Sequence, residues 1–196
     1  TARRLIAEAV EGGANAIKFQ TYRAATIASR NSPAYWDTQK EPTTSQFELF
    51  SKYDKFWKSE FEELKVCCDQ LEIEFMSTPF DTESVSFLAD LVNVFKISSS
   101  DITNKPFIKN ICQYGKPIIL STGASDLSEI DDALGWIDPY NIPVALLHCI
   151  LNYPTSNQNA NLGMISGLKD KYPNRVIGYS DHTLPGGMKA LEIATL

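Results

Sequence analysis

Two lysines lie in otherwise apolar segments of the chain, where a positive charge requires an explanation. Lys18 stands in AIKFQTY, with Gln20 two residues later, and Lys96 stands in VFKISSSD. A buried lysine without a partner is costly, so a salt bridge to a carboxylate such as Asp101 would explain one of them. Two lysines at equivalent places, each followed by polar side chains, favour a binding site for a phosphate or a carboxylate.

Hydroxyl groups follow three of the apolar segments, shortly before helical patterns begin. They belong to Ser77–Thr78, Ser98–Ser99–Ser100 and Ser121–Thr122, the last pair followed by Gly123. Backbone N–H groups at helix N-termini bind anions, and neighbouring hydroxyls add further donors, which agrees with a phosphate site. Serine and threonine at such positions are also common helix caps, so some of these hydroxyls are expected to serve only as caps.

The chain contains two histidines, His148 in LHCILNYPT and His182 in GYSDHT. His182 directly follows Asp181 at the end of an apolar segment. A neutral imidazole held by a backbone carbonyl is one interpretation, and a metal ligand or proton carrier is the other. One histidine does not make a metal site, and no other residues here have the spacing of metal ligands. For His148, which lies within a segment, we expect a structural role.

These side chains are positioned by an alternation of strand and helix patterns. Strands are predicted at residues 14–22, 73–80, 94–101, 117–123, 144–150 and 175–181. Several are apolar on successive residues, which is typical of a parallel sheet covered by helices on both faces. Residues 23–54 form a long polar connection without clear periodicity, and residues 55–71 predict an amphipathic helix. Repeated strand–helix units indicate an α/β fold.

An open doubly wound sheet and a closed (β/α)₈ barrel are the two parallel architectures that compete. No G-x-G-x-x-G follows the first strand, which disfavours a dinucleotide-binding open sheet. Polar residues recur at the C-terminal end of every strand, and a barrel gathers those ends at one mouth. We therefore favour the TIM barrel. Six strands do not close it, and both ends of the chain fall within helical patterns. We thus expect residues 1–196 to be part of a barrel whose missing strands lie outside them.

Composition limits the classes of partner and compartment. The net charge is −6, from 18 Lys and Arg against 24 Asp and Glu, which disfavours nucleic acid and anionic membranes as partners. No apolar run is long enough to span a bilayer, and no signal peptide is apparent. The four cysteines show neither zinc-site spacing nor a disulfide framework, so we expect a cytoplasmic protein.

Seven motifs along the chain resemble those of one enzyme family. In order they are IKFQTY, STPFD, FKISSSD, KPIILSTG, LLHCILNYPT, NANL and IGYSDHT. Together they resemble the sialic acid synthases, which include N-acetylneuraminate, legionaminate and pseudaminate synthases. The resemblance implies a (β/α)₈ barrel that condenses phosphoenolpyruvate with a 2-acetamido aldose, giving a nine-carbon nonulosonic acid and phosphate. It also implies a divalent cation, Mn²⁺ or Mg²⁺, and a homodimer.

The resemblance assigns several residues to phosphoenolpyruvate. Lys96 and Lys18 would be catalytic residues that stabilise charge on the phosphate. The remaining contacts to its phosphate or carboxylate would come from hydroxyls, those of Thr78, Ser99 and Ser121, with that of Ser180 nearby.

The sugar and the metal are assigned to other residues by the same resemblance. Gln20 and Tyr153 would line the sugar site, and His182 would be a metal ligand whose companion histidine lies in the eighth strand. Asp101, the third catalytic residue, stands where many members carry Glu, and Leu151 stands where some carry Asn. These departures weaken the case for N-acetylmannosamine and leave a 2,4-diacetamido hexose as the other acceptor. By the same resemblance, the first and eighth strands of the barrel and the C-terminal antifreeze-like domain of the family are expected outside residues 1–196.

Two other functions remain open at this point. An aldolase of the same fold would form a Schiff base with pyruvate through Lys18 or Lys96. A non-catalytic sugar- or phosphate-binding barrel would be stabilised by its ligand without turnover.

Overall fold

The computed structural model describes residues 1–196 and has an α/β fold in which strands and helices alternate. Six strands occur at the predicted places, although several are shorter than their apolar segments. They are β1 (Ala16–Thr21), β2 (Glu74–Pro79), β3 (Phe95–Ile97), β4 (Ile118–Ser121), β5 (Val144–Cys149) and β6 (Val176–Ser180).

Helices follow every strand. They are α1 (Ala2–Glu11), α2 (Ala24–Ile27), α3 (Gln46–Tyr53), α4 (Lys58–Gln70), α5 (Thr82–Leu88), α6 (Lys105–Cys112), α7 (Leu127–Ile137), α8 (Gly163–Lys171) and α9 (Lys189–Thr195). Asp126 caps α7 through the Glu129 N–H, and Glu129 caps the Asp126 N–H in return, which explains why this helix begins where the sequence predicts.

All strand pairs are parallel, as successive apolar residues predicted. β1 pairs with β2, and β3, β4, β5 and β6 form a sheet in that order. Parallel pairing of strands that are consecutive in the chain, with a helical crossover between them, is the arrangement expected from repeated strand–helix units. The chain divides into two compact units, Thr1–Asn93 and Val94–Leu196, and each contains buried apolar residues.

The first unit packs helices against one face of the β1–β2 pair. Phe19 and Phe75, one from each strand, stack with ring centroids 5.8 Å apart. The predicted apolar face of α4 buries Phe61 and Leu64, whereas Phe56, expected on the same face, is 39% exposed and precedes the helix. Ile6 of α1 is fully buried.

The second unit buries the alternate residues of its four strands against the helices. Phe95, Ile97, Leu120 and Leu146 are fully buried on this side of the sheet. The opposite face carries Lys96 and the residues that pair with it across β4, β5 and β6. One face of the sheet therefore forms the core, and the other carries Lys96, Ser121 and Ser180 together with apolar residues such as Ile119 and Ala145.

Two expectations about local structure were wrong. The connection at residues 23–54 contains α2 and α3, and α3 is capped by Ser45, whose side chain accepts from the Glu48 N–H. This S-x-x-E signature lies among polar residues, where hydrophobic periodicity gives a weak signal. The third strand stops at Ile97, because Ser99–Asp101 turns into a 3₁₀-helix.

The four cysteines are free thiols, as expected, and three of them are buried. None of the helices has the length and apolar composition needed to cross a membrane.

Candidate active site

In the first unit, strand register places three predicted site residues on one face. Lys18 and Gln20 are two apart in β1, and Gln20 pairs with Thr78 of β2. Side chains two apart in a strand share a face, so all three project from the same side of the pair. Thr21 and Ser77 face the helices instead, where their hydroxyls lie 2.7 Å apart in full burial.

Lys18 and Gln20 are exposed residues, contrary to the expectation that Lys18 is buried, while Thr78 is buried. Protein atoms around the Lys18 ammonium nevertheless lower its pKa from the usual value by displacing water. A lysine with a lowered pKa gives up its proton more readily than an ordinary lysine.

In the second unit, Lys96 is the buried cation of the sheet. Its ammonium donates to Ser121 Oγ at 2.6 Å and to the Ile97 carbonyl at 2.9 Å, and the residue is 6% exposed. Register places Lys96, Ser121 and Ser180 on the same face of β3, β4 and β6. The structure thus brings Lys96 and Ser121 into contact and places Ser180 on the same face of the sheet.

Ser99 lies in the 3₁₀-turn after β3, where its hydroxyl meets the loop after β4. The Gly123 N–H donates to Ser99 Oγ at 2.9 Å, and Cys149 Sγ lies 3.1 Å from the same oxygen. A Cβ on Gly123 would stand 2.5 Å from that sulfur and 3.0 Å from Ser99 Oγ. Only glycine therefore fits between the ends of β3 and β5.

Asp101 ends the same turn and is partly buried. Its carboxylate accepts from the Ser100 hydroxyl at 3.3 Å and from the Asn104 amide at 3.5 Å. Burial outweighs these bonds and raises the pKa of Asp101 above its usual value. The carboxyl group therefore keeps its proton to a higher pH than an ordinary aspartate does, which suits a group that transfers protons.

This raised pKa predicts a change in stability when Asp101 loses its charge. The native state binds the proton more tightly than the unfolded chain, so the free energy of unfolding falls as pH rises through the raised pKa. Asp101→Asn should therefore raise the free energy of unfolding at neutral pH, as measured by urea unfolding of the complete protein. Below the ordinary aspartate pKa the variant and the wild type should match.

Asp131→Asn is the control of opposite sign. Hydrogen bonds from Lys171 and then Tyr172 lower the pKa of Asp131, so its charge stabilises the native state above the unfolded pKa. This variant should be less stable at neutral pH. A loss of stability in Asp101→Asn at neutral pH would contradict the assigned direction.

His182 follows β6 and is held by the segment after β5. Its Nδ1 lies 2.7 Å from the Ile150 carbonyl oxygen, and the Tyr153 ring lies over it with centroids 4.0 Å apart. A carbonyl only accepts hydrogen bonds, so Nδ1 carries the hydrogen, and in the neutral ring Nε2 then keeps a lone pair. Asp181 is not the partner of His182 Nδ1. Its carboxylate instead accepts a hydrogen bond from the Thr183 N–H at 2.8 Å, which holds the turn after β6.

His148 is placed on the other face of the sheet, as the predicted structural role requires. It is 4% exposed, its Nε2 lies 2.8 Å from the Ala160 carbonyl oxygen, and its ring stacks on Tyr179. Because Ser121 and Ser180 occupy the opposite face, His148 does not share their surroundings.

Comparison with known proteins identifies the family. The model of the NeuB family matches residues 5–196. The chain belongs to the NeuB family. It is 37% identical over 196 residues to N,N'-diacetyllegionaminic acid synthase of Legionella pneumophila, covering 93% of this chain and 53% of that protein. It is 38% identical over 189 residues to the synthase of the same name from Campylobacter jejuni, covering 93% of this chain and 56% of that protein.

A solved structure agrees with this assignment. N-acetylneuraminic acid (sialic acid) synthetase from Leptospira borgpetersenii, in complex with citrate, superposes with a TM-score of 0.82 at 37% identity. The match covers 93% of this chain and 59% of that one. The chain spans about half the length of the curated relatives it matches. The family predicted from the seven motifs is confirmed.

The donor atoms of this NeuB-family chain can be compared with those that the predicted metal ion needs. The Nε2 lone pair of His182 fits the donor chemistry of a metal ligand, because a carbonyl already holds the opposite nitrogen, an arrangement common among metal-bound histidines. No group of three His, Cys, Asp or Glu residues is arranged to hold a metal ion. The chain by itself thus offers one nitrogen ligand.

Sequence reasoning did not assign a role to Cys149 and did not single out Gly123 beyond its place after Ser121–Thr122. Both contact Ser99 in the structure. A glycine directly after a hydroxyl pair at a strand end was the available signal for a close approach. Nothing in the sequence indicated that Cys149 faces the same side, since apolar residues surround it.

Proposed function

We propose that the protein condenses phosphoenolpyruvate with a 2-acetamido sugar aldehyde to form a nonulosonic acid and inorganic phosphate. The observation that carries this proposal is the buried Lys96 ammonium, which donates to Ser121 Oγ at 2.6 Å on the sheet face that also carries Ser180. A desolvated cation beside hydroxyl donors binds phosphate and carboxylate groups strongly, because charge-assisted hydrogen bonds are the strong ones. Membership of the NeuB family supports the reaction class.

The architecture we infer for the complete protein is a (β/α)₈ barrel. Parallel pairing within both sheets and helices after every strand support it. Such a barrel would present the C-terminal ends of its strands at one mouth. The first and eighth strands, the antifreeze-like domain, the homodimer and the cytoplasmic location belong to the same proposal.

Phosphoenolpyruvate would be held by this chain's donors. Lys96, with Ser121 and Ser99, would hold its phosphate or carboxylate, and Thr78 would add a hydroxyl from β2. Lys18 would stabilise charge on the leaving phosphate. Donors fixed before the reaction stabilise developing charge without reorganisation, which is the largest catalytic effect in many enzymes. Ser180 lies on the same face as Ser121 and would contact the same ligand.

The sugar would contact Gln20 and Tyr153. In the reaction, C3 of phosphoenolpyruvate forms a bond to the aldehyde carbon, water adds at C2, and the C–O bond to phosphate breaks. Asp101, whose pKa is raised, would orient a sugar hydroxyl or carry a proton between these steps. His182 would hold a divalent cation, Mn²⁺ or Mg²⁺, which supplies Lewis-acid polarisation of the aldehyde oxygen when bound.

The favoured acceptor is a 2,4-diacetamido hexose. Two relatives that share 37% and 38% identity are named N,N'-diacetyllegionaminic acid synthases. Leu151 supports this choice, since a 50% exposed aliphatic side chain beside Tyr153 offers the sugar no amide for hydrogen bonding.

Phosphate release tests the reaction, the acceptor and the metal together. The complete protein is incubated with phosphoenolpyruvate, Mn²⁺ and, separately, N-acetylmannosamine or 2,4-diacetamido hexoses. We expect release with a 2,4-diacetamido hexose, its loss on adding EDTA and its recovery with excess Mn²⁺. Equal release without sugar would indicate mere hydrolysis, and no release from folded protein with any sugar would contradict the proposal.

The Schiff-base aldolase remains the second candidate because the lowered pKa of Lys18 would favour a neutral, nucleophilic amine. It predicts that borohydride with pyruvate traps a covalent adduct on Lys18. The condensation predicts no adduct and a requirement for phosphoenolpyruvate.

A further inference from the structure

The Ser99 hydroxyl is contacted by two different elements at once. The Gly123 N–H donates to Ser99 Oγ at 2.9 Å, and Cys149 Sγ lies 3.1 Å from that oxygen. Ser99 is 7% and Cys149 is 4% exposed, so neither contact competes with bulk water. Cys149 is the last residue of β5 and pairs with Ser180, which places its sulfur on the face proposed to bind the substrate.

A serine hydroxyl has one proton to donate and two lone pairs to accept with. Gly123 uses one lone pair, because a backbone N–H can only donate. The bond to Cys149 then has two forms, since either atom can be the donor. In one form the Ser99 hydroxyl donates its hydrogen bond to the Cys149 sulfur. In the other the thiol donates to Ser99, fills its second lone pair and leaves the hydroxyl proton free.

An anion bound beside Ser99 selects the second form. A hydroxyl that donates to an anionic oxygen makes a charge-assisted bond about twice as strong as a neutral one, whereas a thiol is a weak acceptor. We propose that Cys149 is a positioning residue that donates its thiol proton to Ser99 Oγ, so that Ser99 turns its own proton toward the phosphate or carboxylate of the substrate. This inference rests on the proposed function for the identity of that anion.

The sulfur is fixed where this role requires it. The absence of a side chain at Gly123 leaves room for Cys149 Sγ, which would stand 2.5 Å from a Cβ there. Gly123 therefore acts on both residues. Its N–H donates to Ser99 Oγ, and its lack of a Cβ leaves space for the Cys149 sulfur. Alanine at position 149 would keep the fold of β5 and remove the sulfur atom, which contacts the Ser99 hydroxyl.

Kinetics of the complete protein test the role. Cys149→Ala should raise the KM for phosphoenolpyruvate about three- to tenfold, the loss of one modest hydrogen bond, and leave the KM for the sugar unchanged. Cys149→Ser keeps a donor and an acceptor and should recover most of that loss. Cys112→Ala is the matched control, because Cys112 is a buried free thiol on α6. It should leave both KM values unchanged.

A double-mutant cycle separates a role through Ser99 from general packing. In a Ser99→Ala background, Cys149→Ala should raise the KM for phosphoenolpyruvate no further. Multiplied effects in the double variant would overturn the proposal, as would a Cys149→Ala variant that behaves like Cys112→Ala.

Infrared spectroscopy with inorganic phosphate gives a reading that does not need turnover. The S–H stretching band lost in Cys149→Ala identifies this thiol, and phosphate should shift it as the thiol becomes a donor. The shift should disappear in Ser99→Ala. A shift in a protein without turnover would preserve this inference and reject the proposed function, whereas turnover without a shift would reject this inference alone.

Discussion

Lys96→Met should lower kcat/KM for phosphoenolpyruvate by about a hundredfold to a thousandfold, the range found when one fixed donor to developing charge is removed. The KM for phosphoenolpyruvate should rise, because the bound substrate already carries the charge assigned to Lys96, and kcat should fall, because further charge develops on the phosphate. Methionine retains the length of the side chain and its apolar packing but removes the buried ammonium that lies 2.6 Å from Ser121 Oγ. The KM for the sugar should change little, because Lys96 is assigned to the phosphate or carboxylate.

Lys109→Met is the matched control for this charge change. Lys109 is an exposed residue of α6, so its replacement should leave both kinetic constants at their wild-type values. Steady-state kinetics are compared after circular dichroism has shown that both variants are folded. A folded Lys96→Met protein with an unchanged KM for phosphoenolpyruvate would remove Lys96 from the proposed site.

Gly123→Ala should impair both the fold and the binding of anions. The added Cβ would stand 2.5 Å from Cys149 Sγ, 3.0 Å from Ser99 Oγ and 3.3 Å from the Cys149 carbonyl oxygen. Overpacking of this kind lowers the free energy of unfolding by ~1–3 kcal/mol. Because Ser99 and the β5 end must move apart, the KM for phosphoenolpyruvate should rise as well. Urea unfolding and steady-state kinetics measure the two effects.

Gly135→Ala makes the same chemical change with the opposite expected sign. Gly135 lies inside α7, and a Cβ there would meet nothing within 4 Å. The free energy of unfolding of this variant should rise by about 0.5–1 kcal/mol, because alanine loses less conformational entropy than glycine when a helix forms. Adding Cys149→Ala to Gly123→Ala removes the atom of the closest clash and should recover part of the lost stability. No recovery would mean that the clash with the backbone carbonyl dominates.

The sequences of β1 and β2 predicted part of the arrangement of the candidate site residues in the first unit. Lys18 and Gln20 are two apart, so their shared face follows from the period of a strand alone. Register with Thr78 needed the structure, because pairing between strands separated by more than fifty residues is not encoded in either segment. The exposure of Lys18 also differed from expectation, since an apolar neighbourhood in sequence does not show which face of a strand is covered.

The sequence by itself determined the α/β class, the six parallel strands and the family, because buried strands, helix caps and seven ordered motifs are local patterns. Only the tertiary structure decided that Lys96 contacts Ser121, that His148 faces the helices, and that Gly123 and Cys149 hold Ser99. The reason is physical. Periodicity states which residues share a face, whereas atomic contact depends on register and on turns such as Ser99–Asp101, which packing of the whole unit selects.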